Sequence, residues 1–317
     1  MEDSVIKHPW IKHYKTISSQ SGYVSGIVFR NNQDVLLTGS YDGTVILSGL
    51  GTRKKDHTFK LPVPVKAIGF NDADGTILAF TDDKLVHIWD NATHKKISDF
   101  PVLGPREKYR KGTLGKKYVT CAAFSPGGKH IILGCQDKIV YVVSLTSKAK
   151  STRLVGHTMA ISTVGWINND LVYSAAQTDD RLTIWNWHTR KQVLEIPSCE
   201  SFAPVAIHGS TVATGRGQTR KIYLWDRTNG AFGSTISVPF FSSEYISSIC
   251  FHPDGRQMVG GLSRGSIRLW DLDRKSHQTL KDAHKGAIHK IIFSPDGNLL
   301  ASSDLKTNII RVWKVLA

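Results

Sequence analysis

The 317 residues hold little that is equipped for chemistry. Only four cysteines occur, Cys121, Cys135, Cys199 and Cys250, and none stands in a CxxC or Cys/His spacing, which argues against a metal site. Cys121 and Cys250 fall inside apolar alternations, where a thiol behaves as a small buried hydrophobe. The 13 histidines form no HExxH or HxxxH pair on a helical pattern. There is no GxSxG turn for a nucleophile. GTLGKK (112–117) has Arg110 where a phosphate loop needs glycine, and no helical pattern follows. No run approaches the roughly 18 apolar residues of a membrane helix, and MEDSVIKHPW has no apolar stretch of signal-peptide length. Without a secretory signal, the sequon Asn91–Thr93 carries little weight. These absences lead us to expect no enzyme, no cofactor, no metal, no membrane insertion, and a cytoplasmic or nuclear location.

Acidic residues are also scarce. Lys and Arg number 41 against 26 Asp and Glu, giving a formal charge of +15 and a pI near 9.6. Such a balance suits an acidic partner such as nucleic acid, anionic lipid or acidic peptide, and it equally serves solubility. The 11 prolines and 27 glycines are spread along the chain, so composition marks no linker.

What is present is repetition. Five similar segments end in tryptophan: IHIWD at Trp89, LTIWN at Trp185, IYLWD at Trp225, IRLWD at Trp270 and IRVWK at Trp313. Seven bulky residues, Phe29, Phe70, Phe124, Trp166, Ile207, Phe251 and Phe293, end seven alternating strand patterns at steps of 41, 54, 42, 41, 44 and 42 residues. After most of them comes a turn such as SPGG, HPDG or SPDG, where proline and glycine supply the fixed and positive dihedrals that reverse the chain. A small-residue strand, the tryptophan strand and a more polar fourth strand follow. Strands of four to eight residues at this interval predict an all-β array with almost no helix.

The tryptophan endings, the SPDG and HPDG turns, Gly156-His157 and an Asp six residues before the Trp position resemble the WD-repeat (WD40) family along essentially the whole chain. The resemblance implies a seven-bladed β-propeller of four-stranded antiparallel blades. It divides a single domain, 1–317, into units at about 19–60, 61–100, 117–155, 156–197, 198–239, 240–281 and 282–317, with a basic inter-blade insert at 101–116. The last unit runs out after its third strand. Residues 10–18 are therefore expected to join it as the outer strand and close the ring, since an unpaired edge invites aggregation.

The resemblance also gives roles. His157, Ser174, Asp179 and Trp185 look like a catalytic constellation, but the family reading makes them a buried structural hydrogen-bond network. The fourth unit alone holds the full set at the expected positions; Thr219, Arg264 and Thr307 replace the turn Asp in the last three units. Partner-binding candidates lie on the propeller face that carries the inter-blade loops. The residue six before each anchor faces the channel mouth there, and three of the seven, Tyr23, Tyr118 and Tyr245, are tyrosine; Tyr41 precedes a turn Asp. Arg106, Lys108, Tyr109, Arg110 and Lys111 in the insert, with Arg216 and Arg220, add a cationic rim. Packing between blades is the competing role for the tyrosines, and a solvated loop for the insert.

The function expected is a non-enzymatic interaction scaffold that binds a protein or peptide, most simply an acidic one. The alternative is binding of RNA or another anionic ligand within a ribonucleoprotein or chromatin complex, because tyrosines among cations stack bases and hold phosphates. The sequence leaves the partner, the WD-repeat subfamily and the oligomeric state open.

Overall fold

A computed structural model describes residues 10–18, 20–30, 35–51, 56–102, 118–146, 151–176, 179, 181–197, 204–216, 221–237 and 244–316. Among them every regular element is a strand. β1 (Ile11–Ile17) comes first. Blade 1 is β2 (Val24–Phe29), β3 (Val35–Ser40), β4 (Thr44–Gly49) and β5 (His57–Lys60); blade 2 is β6 (Val65–Asn71), β7 (Thr76–Thr81), β8 (Leu85–Asp90) and β9 (Lys96–Pro101). Blade 3 is β10 (Val119–Phe124), β11 (His130–Cys135), β12 (Ile139–Ser144) and β13 (Thr152–Val155); blade 4 is β14 (Ile161–Trp166), β15 (Leu171–Ala176), β16 (Arg181–Asn186) and β17 (Lys191–Pro197). Blade 5 is β18 (Val205–His208), β19 (Thr211–Arg216), β20 (Lys221–Asp226) and β21 (Phe232–Ser237); blade 6 is β22 (Ile246–Phe251), β23 (Gln257–Leu262), β24 (Ile267–Asp271) and β25 (Ser276–Leu280). Blade 7 has β26 (Ile288–Phe293), β27 (Leu299–Asp304) and β28 (Ile310–Val315) from the end of the chain.

Each sheet is an antiparallel meander of four strands, and the fold is a seven-bladed β-propeller. The seventh sheet runs β1-β28-β27-β26, so the N-terminal strand supplies its outer member, with Ile11 opposite Val315 and Ile17 opposite Ile310. The chain forms two compact units. One holds residues 60–202 with blades 2 to 4; the other holds 1–59 and 203–317 with blades 5, 6, 7 and 1.

The strand patterns explain the layering. Second strands such as VLLTGS and TILAFT are buried at every residue, whereas the fourth strand KISDFP is exposed at nearly every one. Apolar residues of successive blades share cores. Leu78, Phe80, Leu133 and Tyr141 join blades 2 and 3; Val259, Leu269, Ile291 and Trp313 join blades 6 and 7. A blade therefore stabilises its neighbour, because each sheet face has apolar area that only the next sheet covers.

The first strand of six blades carries a β-bulge after its opening residue, as between Val119 and Cys121 and between Ile246 and Ser248. In blades 3 and 6 the bulged residue reaches the next blade. The Thr120 hydroxyl is shared between Gly134 O at 2.9 Å and Ile161 O at 2.6 Å, and that of Ser247 between Gly261 O at 3.0 Å and Ile288 O at 2.6 Å.

Candidate functional site

In five blades the residue six before the anchor meets the residue that follows the second strand. Tyr41 N donates to Tyr23 O, Asp82 N to Pro64 O, Gln136 N to Tyr118 O, Ser263 N to Tyr245 O and Leu305 N to Ala287 O. This one bond pins the approach to the first strand against the turn between second and third strands. The tyrosines at these positions are about half exposed: Tyr23, Tyr41, Tyr118 and Tyr245 are 55%, 40%, 52% and 48% exposed. The ladder makes Tyr23 and Tyr41 neighbours, with rings edge to face at 6.4 Å. An exposed phenol with a wide apolar ring is a cost in water and an asset at an interface.

Beside the tyrosines the turns are built on carboxylates. Asp42 accepts from Thr44 through side chain and backbone and from the Ser21 and Gly22 amides. Burial would raise its pKa, but these bonds, Thr44 foremost, hold it well below the usual carboxylate range. Asp83 receives the Leu85 amide and Asp137 the Tyr141 hydroxyl. Lys84 and Lys138 follow these acids at φ of 68° and 70°, the backbone position that Gly43 and Gly265 take in blades 1 and 6. Lys66 lies 3.6 Å from Asp82. The cations of these turns therefore stand among anions.

Arg106, Lys108, Tyr109, Arg110, Lys111 and Arg220 lie outside the described residues, as does the side chain of Arg216, whose backbone ends β19 opposite Lys221.

The His157 group is close-packed and connected. His157 Nδ1 is 2.9 Å from Asp179 Oδ2, His157 Nε2 is 2.7 Å from Ser174 Oγ, and Trp185 Nε1 donates to Ser174 Oγ at 2.8 Å. Thr158 donates to Asp179 through its amide and hydroxyl, and Arg181 reaches Gly156 O. Burial lowers the His157 pKa against the opposing pull of Asp179. Ser174 is fully buried, so its hydroxyl meets no solvent-borne substrate.

Blade 7 has a second set that the spacing did not reveal. His284 Nε2 is 2.8 Å from Ser302 Oγ, Trp313 Nε1 donates to the same oxygen at 2.9 Å, and His284 Nδ1 is 3.4 Å from Asp304. Thr307 was expected to replace the turn Asp here. Instead Asp304, three residues earlier, fills that role and accepts from Thr307 through amide and hydroxyl, while Trp313 follows Ser302 by eleven residues just as Trp185 follows Ser174.

Other blades vary the wiring. In blade 2, His87 on the third strand binds Thr81 Oγ1 at 3.0 Å and Asp99 Oδ1 at 2.6 Å. The order Thr-His-Asp matches a hydrolase constellation, yet Thr81 is fully buried. In blade 6, Gly260 stands against the Trp270 ring, and Trp270 Nε1 has no partner. In blade 1, Ser48 occupies the tryptophan position and both Thr38 Oγ1 and Ser48 Oγ are buried without partners. Among the described residues no group of three or more His, Cys, Asp or Glu is arranged to hold a metal ion.

The family model described as "WD domain, G-beta repeat" matches residues 11–47, 108–144, 235–271 and 274–314. The chain carries WD40 repeats. The WD40 matches omit 156–197, although blade 4 there has a complete hydrogen-bond set. The Eukaryotic translation initiation factor 3 subunit I of Meyerozyma guilliermondii is 23% identical over 85% of this chain and 84% of its own length. The Serine-threonine kinase receptor-associated protein of Mus musculus is 25% identical over 64% of this chain and 57% of its own. The Guanine nucleotide-binding protein subunit beta of Arabidopsis thaliana is 26% identical over 63% of this chain and 58% of its own. WD40 propellers generally act as protein-interaction scaffolds, and the WD40 family is generally non-enzymatic.

Proposed function

We propose that this chain is a non-enzymatic scaffold, working inside the cell, that binds a protein or peptide through the loops bearing Tyr23, Tyr41, Tyr118 and Tyr245. The observation that carries this reading is the exposure of Tyr23, Tyr118 and Tyr245 at equivalent places in their blades, each accepting the same backbone bond, with Tyr41 exposed beside Tyr23. Two relatives are named as subunits, which are parts of larger assemblies, and this chain is read in the same way. Its His-Ser-Asp groups are buried and serve as braces, which argues against catalysis.

The charge of +15 favours an acidic partner surface. RNA is the second reading that this charge supports. A protein partner is favoured because the turn cations stand beside Asp82, Asp83 and Asp137, which would repel a continuous run of phosphates. The test is partner capture by a chain with Tyr23, Tyr118 and Tyr245 replaced together by alanine. Capture of protein partners falls while the melting temperature stays near that of the wild type. Unchanged capture refutes the tyrosine face.

A further inference from the structure

Outer strands are the exposed edges of the blades, and most are guarded by charge. Among the described strands, β1 carries Lys12 and Lys15, β5 Lys60, β9 Lys96 and Asp99, β13 Arg153, and β17 Lys191 and Glu195. Two outer strands have no Lys, Arg, Asp or Glu: β21, FGSTIS, and β25, SHQTL. They belong to successive blades, and a groove of about 310 Å³ lies between them. An uncharged, proline-free edge is a template for strand pairing that sequences normally suppress with charge. Here that suppression is lifted on both sides of one groove.

The groove walls show what would fit. Leu224, Ile236 and Leu272 supply apolar surface, and Ser234 supplies a hydroxyl from β21. Lys275 lines the groove at a φ of 52°, a conformation that disfavours a side chain, and among the described residues no hydrogen bond or ion pair engages its ammonium group. Asp271, the carboxylate among the lining residues, is occupied by the Arg274 amide at 2.8 Å and the Arg274 side chain at 3.9 Å. Among the described residues the wall thus offers the Lys275 cation to an apolar slot. β21 pairs with β20 on one side, leaving its other edge of backbone donors and acceptors open.

We propose that this groove is a second, lateral docking site, separate from the tyrosine-bearing loops. It takes an extended segment of a partner protein as a fifth strand on β21, with an aliphatic side chain in the slot and a carboxylate on Lys275. Main-chain bonds to the edge supply affinity, and the slot and Lys275 select the alternating apolar and acidic sequence.

The experiment is hydrogen–deuterium exchange of the full chain with the capped probe peptide acetyl-VTVEVE-amide at saturation, alongside its affinity by fluorescence anisotropy. The outward amides of residues 233–237 exchange at least about fivefold more slowly with the peptide, because strand addition buries them in new bonds. Ser234→Lys, which restores an edge charge, and Lys275→Glu each weaken the peptide at least about tenfold, near 1.4 kcal/mol. Both residues are exposed or half-exposed, and an unchanged melting temperature shows that the fold is intact. Absence of protection in β21, or binding indifferent to both substitutions, overturns the proposal. So does a concentration-dependent dimer that Ser234→Lys abolishes, since the occupant would then be a second copy of the chain.

Discussion

A buried hydroxyl in this protein is worth what it is bonded to. Ser302 accepts from the Trp313 indole and meets His284, while Ser48, equally buried, has no partner. Ser302→Ala leaves two buried polar groups unpaired, at about 1–3 kcal/mol each, so a loss of about 2–6 kcal/mol is expected. Ser48→Ala removes an orphan and leaves stability unchanged or raised. Denaturant unfolding of the two variants checks the contrast; equal losses would contradict it. The residue scale is also where the sequence was least legible. His157, Ser174, Asp179 and Trp185 stood at recognisable spacings. Asp304 did not, because it ends the second strand, three residues before the position counted from Trp313. The His87–Thr81 brace was hidden because its histidine comes from a strand, not from the preceding loop.

Strands were far more legible, because their boundaries follow from alternation and turn chemistry, both local properties. Phe29, Phe124, Trp166, Phe251 and Phe293 end first strands, and Phe70 and Ile207 fall one residue short. The N-terminal strand was inferred from a missing partner, and β1 lies antiparallel to β28 over six paired residues. Its Ile11 and Ile17 are buried, and Trp10 and Ile11 join the core of blades 6 and 7. Deleting residues 1–18 exposes the edge of β28 and that core together. Calorimetry of the truncated chain is expected to show a sharply lower melting temperature, whereas melting like the full chain would mean that β1 is dispensable. The bulges were not legible, since their signal is a hydroxyl or other side chain whose purpose appears only beside the next blade.

At the scale of the whole molecule, acid should act through buried histidines. Burial lowers the pKa of His157 and His284, and brings His289 down to about 4. A folded-state pKa below the unfolded value of about 6.5 means that the unfolded chain binds the proton first. Stability is thus full above about pH 6.5 and is lost as pH falls toward the folded values. Asp42, Asp179 and Asp304, held low by hydrogen bonds that outweigh burial, extend the loss below the ordinary carboxylate range. The melting temperature should be level from pH 8 to 7 and decline steadily from about 6.5 to 4.5; a level or rising profile over that lower interval contradicts this assignment.

The charge of +15 is a property of the whole chain, and it does not choose between protein and RNA. The tyrosines make that choice testable. The most direct measurement compares the wild type with the Tyr23, Tyr118 and Tyr245 triple alanine variant, quantifying captured protein and captured RNA in parallel and recording both melts. The scaffold reading expects protein capture to fall several-fold with the melt preserved. Protein capture unaltered, or a loss confined to RNA, would contradict it.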